Sequence, residues 1–193
     1  GNAACVDGNA GHCLASPDGV NEQDAAVLPE TYFTVWSNIF FNQKIKDGSV
    51  FLVHGGSGGI GSTAIQIGAA MGLQVFATAG STGSCAYCEK LGAQRSINFN
   101  EEDFVPILRE IGGANIILDI IGGAYVARNI KAAHADAKII QLAFNLGSKM
   151  EVDLMPVMLK RLTLTGSTLR SRSDNFKSEV ASDLIQTLWP LFG

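Results

Sequence analysis

Gly56, Gly58 and Gly61 fall at the spacing G-x-G-x-x-G, between an apolar run from Val50 to Val53 and a stretch of small and apolar residues from Ser62 to Met71. The first reads as a buried strand and the second as a helix. In a strand–turn–helix each glycine has a mechanical task. Gly56 makes the tight turn, Gly58 lets backbone approach a pyrophosphate, and Gly61 lets the helix lie close on the sheet. Exposed N–H groups and the positive end of the helix dipole then meet the phosphates. Ser57, Gly58, Gly59, Ile60 and Gly61 are therefore the expected cradle of a dinucleotide. Glycine-rich turns are common, so the spacing draws its weight from the strand before it and the helix after it.

Other reactive side chains point to no catalytic nucleophile and no metal. Cys85 and Cys88 spell C-x-x-C, a redox or half-metal pattern. They sit in SCAYCEKLG, a helical stretch without the βαβ context and second ligand pair such sites need. Cys5 and Cys13 do not complete a zinc set, so ordinary thiols are expected. Asp119 closes an apolar strand and reads as a cap to nearby backbone N–H groups before it reads as a base. His54, next to the glycine turn, reads as packing, His12 as a satisfied polar residue and His134 as exposed.

The chain has 193 residues, 47% hydrophobic and 17% charged, with a net charge of -4. That composition describes a folded globular chain with room for one sizeable core. The negative balance argues against a nucleic-acid partner. No signal peptide or membrane-length run is visible, and reduced cysteines fit a cytoplasmic chain.

The elements that must position the glycine turn follow from periodicity. Residues 1–28, rich in Gly, Asn, Asp and Ala, read as loops with one or two short strands. Pro29 to Gln43 reads as a helix burying Phe33, Trp36, Ile39 and Phe40. Strands are expected at Leu73–Ala77, Ser96–Asn98, Ile116–Asp119, Lys138–Leu142 and Leu162–Gly166. Helices are expected at Ser84–Leu91 before Gly92, from an Asn100 cap to Ile111, and at Tyr125–Ala133, Met155–Lys160 and Phe176–Leu188. Such alternation predicts an α/β fold: a doubly wound parallel (Rossmann) sheet with helices on both faces.

Several stretches, LPETYFTVW, VHGGSGGIG, ATAGS, LGA, ILDIIGG and LTGSTLRSR, resemble the quinone oxidoreductases in the zinc-independent branch of the medium-chain dehydrogenase/reductase superfamily. The likeness is strongest to the NADPH quinone oxidoreductases of the p53-inducible type and their bacterial relatives. It implies that residues 1–28 are the remnant edge of a GroES-like catalytic domain. It also implies that residues 29–193 are the dinucleotide-binding domain, ending before the chain's return to the first domain. Hydride transfer to a small quinone or enone acceptor follows, with zinc-free chemistry and a homodimer. The isolated chain is then expected to be close to inactive with quinones. Alternatives are an enoyl or enone reductase of the same superfamily, and a nucleotide-binding module without turnover.

The resemblance also implies site residues. Thr34 lies toward the nicotinamide. Ile120 and Gly122, after the fourth strand, face the adenosine ribose and adenine, although Ile120 reads equally well as core. Ala143 and Phe144, after the fifth, face the carboxamide. The second strand ends Ala77-Thr78-Ala79-Gly80-Ser81 with no acid to bind a ribose 2′-hydroxyl and repel a 2′-phosphate. Gly80 and Ser81 therefore favour NADP(H), with NAD(H) as the alternative. Ser84 stands where the family pattern has a lysine and Phe99 where it often has a tyrosine. Arg95 and Lys90 are the candidate substitutes for the missing charge.

Overall fold

An uninterrupted apolar strand needs cover on both faces, and Val50–His54 (β1) has it, with every residue buried. The computed structural model describes residues 8–192, and Cys5 lies outside them. These residues divide into two compact units, one running from Lys44 to Ser167 and the other made of the segments up to Gln43 and from Thr168.

The Lys44–Ser167 unit carries the expected sheet. Its strands are β1, β2 (Gln74–Ala79), β3 (Arg95–Asn98), β4 (Ala114–Asp119), β5 (Ala133–Gln141) and β6 (Thr163–Gly166). All pairings are parallel and the order is β3-β2-β1-β4-β5-β6. Strand pleating sends successive side chains to opposite faces. Leu52 and Phe76 join a core with Phe104, Leu108, Ile117 and Ile130. Phe51 and Val75 point the other way, against Gly68. Helices α5 (Phe104–Glu110) and α6 (Ala124–Ala132) cover the first face, and α3 (Gly59–Ala70) lies on the second. Helices α4 (Thr82–Lys90) and α7 (Met155–Lys160) complete the unit.

Two local expectations fail for identifiable reasons. Asp103, not Asn100, caps α5, its carboxylate accepting from the Val105 N–H at 2.9 Å. A helix begun at Asn100 would place Pro106 in its interior, against the carbonyl of Glu102; starting after Asp103 keeps proline in the first turn. β5 begins five residues before Lys138, through a register shift and a left-handed Asp136 (φ 62°). Asp136 is held by the Arg161 guanidinium at 2.6 and 2.7 Å.

In the other unit, the described residues up to Leu28 form no strand. They hold a 3₁₀ turn (Ala10–His12) and a one-turn helix, α1 (Glu22–Ala25), capped by Asn21. The polar, glycine-bearing stretch has too little apolar alternation to sustain a ladder. The expected single helix over Pro29–Gln43 becomes α2 (Leu28–Val35) followed by a π-helical turn, Trp36–Phe40, closed by Phe41 N–H on the Trp36 carbonyl at 2.9 Å. Trp36 stacks on Phe40, and its indole N–H reaches Asp183 on α8 (Asp174–Thr187) at 2.7 Å. A buried indole N–H needs such an acceptor.

Candidate dinucleotide site

Sequence spacing assigns the tight turn to Gly56, but the structure puts it one residue earlier. Gly55 has φ 68°, a conformation that a side chain disfavours. Gly56 instead serves packing: a β-carbon there would lie 2.8 Å from the Cys88 sulfur and 2.9 Å from the Ala77 β-carbon. Gly61 is buried, and a β-carbon on it would run into the Gly55 carbonyl oxygen and the Gly56 backbone. Gly58 differs from both. It is exposed, adopts an ordinary extended conformation (φ -82°, ψ 171°), and a β-carbon on it would find nothing closer than the Gly55 oxygen at 3.4 Å. The protein leaves the space over Gly58 open.

Gly58 is also the N-cap of α3 and supplies no side-chain acceptor. The first N–H groups of an α-helix have no intrahelical partner, which for α3 means Gly59, Ile60 and Gly61. With Ser57 and Gly59 also exposed, an uncapped helix end faces outward, the arrangement that receives phosphate. The residues present thus fit a pyrophosphate.

The other strand ends of this unit gather around that turn. β1 pairs with β2 on one side and β4 on the other, so the strand order reverses there, where open sheets bind ligands. Ile120 is half-buried, and its δ-carbon would lie 2.8 Å from a β-carbon on Gly55. The turns after β4 and β5 are zipped together by backbone bonds: Leu142 N–H to Asp119 O at 2.9 Å, Leu146 N–H to Ile121 O at 2.7 Å, and Gly123 N–H to Gly147 O at 2.9 Å. This joins Ile120 and Gly122 to Ala143 and Phe144. Gly122 is buried, left-handed (φ 69°), beside the Phe144 ring and the Gly147 carbonyl, so the surface there belongs to Ile120 and the exposed Phe144 ring. The Ala143 carbonyl accepts from the Gln141 amide at 2.6 Å.

Gly80 and Ser81 lie exposed at the end of β2, with the Phe99 ring against Gly80. Ser81 caps α4, accepting from the Ser84 N–H at 3.2 Å and donating to the Ser84 hydroxyl at 3.0 Å. Asn100, which sequence reasoning assigns to a helix cap, donates instead to the Gly80 carbonyl at 2.8 Å. Neither proposed cation stands free at this turn. Arg95 is paired with Glu102 at 2.6 Å, and Lys90 ends the helix that Ser81 begins, roughly 12 Å along its axis.

Beneath these turns runs a buried polar chain that the sequence does not foretell as a unit. His54 Nδ1 lies 3.0 Å from the Thr78 hydroxyl, and Nε2 lies 2.7 Å from the Asn129 amide oxygen. Asn129 Nδ2 donates to Asp119 Oδ2 at 2.8 Å. The other oxygen, Oδ1, accepts from the N–H groups of Ile121 at 2.6 Å and Gly122 at 3.0 Å, so Asp119 is the backbone cap its position suggests. Burial pushes His54 down to about 4, against the opposing pull of the Asn129 bond and Asp119. Phe104 and Tyr125 close on the imidazole at 4.8 and 4.9 Å, with the Arg128 guanidinium over both rings. The one available signal for Asn129 is a polar residue on the buried stripe Val126, Asn129, Ile130 of α6.

Cys85 and Cys88 are both buried, and burial pushes the Cys88 thiol up, away from the thiolate a redox or metal role uses. Among the described residues no three His, Cys, Asp or Glu side chains are grouped to hold a metal, and no helix is long and apolar enough to cross a membrane. His134 is exposed.

Thr34 belongs to the other unit, on α2, where its hydroxyl donates to the Glu30 carbonyl at 2.6 Å. It lines a cavity of about 750 Å³ with Phe33, Leu169, Glu30, Arg170 and Lys177, a lining that mixes apolar side chains with two cations and one acid.

The sequence pattern of a family described as zinc-binding dehydrogenases matches residues 59–187. The chain is 29% identical over 154 residues to a mouse protein named quinone oxidoreductase-like protein 2, covering 78% of this chain and 44% of that one. It is 26% identical over 172 residues to human quinone oxidoreductase, covering 86% and 51%. The chain thus spans about half the length of these relatives. The structure of Escherichia coli quinone oxidoreductase complexed with NADPH shares the fold, with a TM-score of 0.77 at 24% identity, over 92% of this chain and 56% of that one.

Proposed function

Because this chain belongs to the zinc-binding dehydrogenase family, we propose that it is the cofactor-binding part of an NADPH-dependent oxidoreductase that reduces a small quinone or enone. The observation that carries this reading is the open, uncapped start of α3 at Gly58, set where the strand order reverses. Ser57 to Gly61 hold the pyrophosphate through backbone N–H groups. Ile120 and Phe144 border the nucleoside ends, and Gly80 and Ser81 receive the 2′ substituent. NADPH supplies the hydride; the protein's task is to bind, orient and exclude water. The relatives of quinone oxidoreductase type support the acceptor class, and the absence of an acid after β2 supports NADP(H) over NAD(H).

Ser81 already donates to Ser84, Arg95 is paired with Glu102 and Lys90 lies at the far end of α4, so discrimination rests on the missing carboxylate with little attraction from these two cations. The expected preference is therefore modest, about tenfold or 1.4 kcal/mol. Fluorescence titration of the chain with each reduced cofactor tests it. Tighter NADPH by that margin supports the reading; equal affinities or tighter NADH contradict it.

A further inference from the structure

The buried chain beneath the strand ends has a direction that its neighbours dictate. Asn129 must present its NH₂ to the Asp119 carboxylate, so its oxygen faces His54, and that oxygen can only accept. His54 therefore carries its proton on Nε2, and Nδ1 accepts from the Thr78 hydroxyl. Every link has one donor and one acceptor, from the end of β2, across β1 and α6, to the end of β4. An apolar filling of the same space would leave no buried polar groups to satisfy. The polar chain supplies orientation in its place: it sets the rotation of the Asp119 carboxylate, whose second oxygen gathers the Ile121 and Gly122 N–H groups.

We propose that His54 and Asn129 are positioning residues, holding Asp119 so that the turn after β4 is fixed over Gly55 at the mouth of the dinucleotide site. The turn matters twice. It places the Ile120 side chain beside Gly55, and through Leu146 N–H on the Ile121 carbonyl it carries the loop bearing Phe144. The proposal rests on the reading that Ile120 and Phe144 border the cofactor. Neither His54 nor Asn129 touches the cofactor surface: both are fully buried.

Two conservative replacements at one position separate the arms of the chain. In His54→Gln the amide nitrogen reaches the former Nε2 position and keeps the donor to Asn129, while the Thr78 link is lost. In His54→Asn the shorter amide keeps the Thr78 link and loses Asn129. Both lose the ring between Phe104 and Tyr125, so both lose comparable thermal stability. Amide hydrogen exchange on the ligand-free chain, read at Ile121 and Gly122, should be at least fivefold faster in His54→Asn than in His54→Gln. NADPH affinity by fluorescence should fall in the same order. Equal exchange at those amides in the two variants overturns the proposal. Exchange that separates while NADPH affinity does not leaves the relay standing and overturns the turn as a cofactor contact. Should His54→Asn not fold, Asn129→Ala takes its place with the same readouts and the same criterion.

Discussion

The sulfur of Cys88 lies directly beneath Gly56, so that a β-carbon on the glycine would sit 2.8 Å from Sγ. Half of the C-x-x-C pair thus packs under the glycine turn. Replacing Gly56 with alanine overfills this space and should cost about 2 kcal/mol. In a Cys88→Ala background part of that cost should disappear, with a coupling of about 1 kcal/mol. Urea unfolding of the two single variants and the double variant measures it; additive costs would show that the sulfur is not the obstacle.

Gly58 and Gly61 should respond in opposite ways to alanine. At Gly61 the new carbon meets turn backbone that cannot move aside, and stability should fall by about 3 kcal/mol or more. At Gly58 the backbone is ordinary and the space open, so thermal melting should stay within about 0.5 kcal/mol of the parent. Equal destabilisation by the two would mean that Gly58 is as packed as its neighbours.

His54 makes stability pH-dependent. Its folded value of about 4 lies below the unfolded value near 6.5. Between those pH values the unfolded chain binds a proton that the folded chain refuses, so stability rises with pH across the window and is lost on acidification through it. Asp119 pulls the imidazole toward the charged form and Arg128 pushes it away, and both are part of that value. The loss specific to His54 should be on the order of 3 kcal/mol from pH 6.5 to 4. Denaturant unfolding at several pH values should show a steeper acid slope in the parent than in His54→Gln. Parallel curves would contradict the assignment.

Asp103→Ala should cost about 1 kcal/mol by removing the α5 cap together with the partly exposed Arg128 pair on the same carboxylate, and more than Asn100→Ala, whose amide holds only the Gly80 carbonyl. Thermal melting of the two variants decides the order. The reverse order would restore Asn100 as the stronger determinant.

The glycine spacing, the apolar strands and the α/β alternation were legible because each rests on local periodicity, and all six expected strands appear in one parallel sheet. The quinone oxidoreductase likeness rests on the same short stretches. What escaped depends on partners distant in sequence. Only the packed sheet shows that Gly56 must be small because of Cys88, thirty-two positions later. Asn129 gains its meaning from His54 and Asp119 together. The α5 start was readable in principle, since Pro106 forbids an earlier one. The π-helical turn at Trp36 answers to Asp183 on α8, which no local pattern announces.

Cofactor binding at this turn requires phosphate to meet backbone at Gly58. Calorimetric titration of NADPH into the parent chain and into Gly58→Val, with the folded fraction of each checked by circular dichroism, reads this directly. Binding by the parent, weakened at least tenfold in the folded variant, a loss of about 1.4 kcal/mol or more, is the predicted result. No binding by the folded parent, or equal affinity in the two, would contradict it.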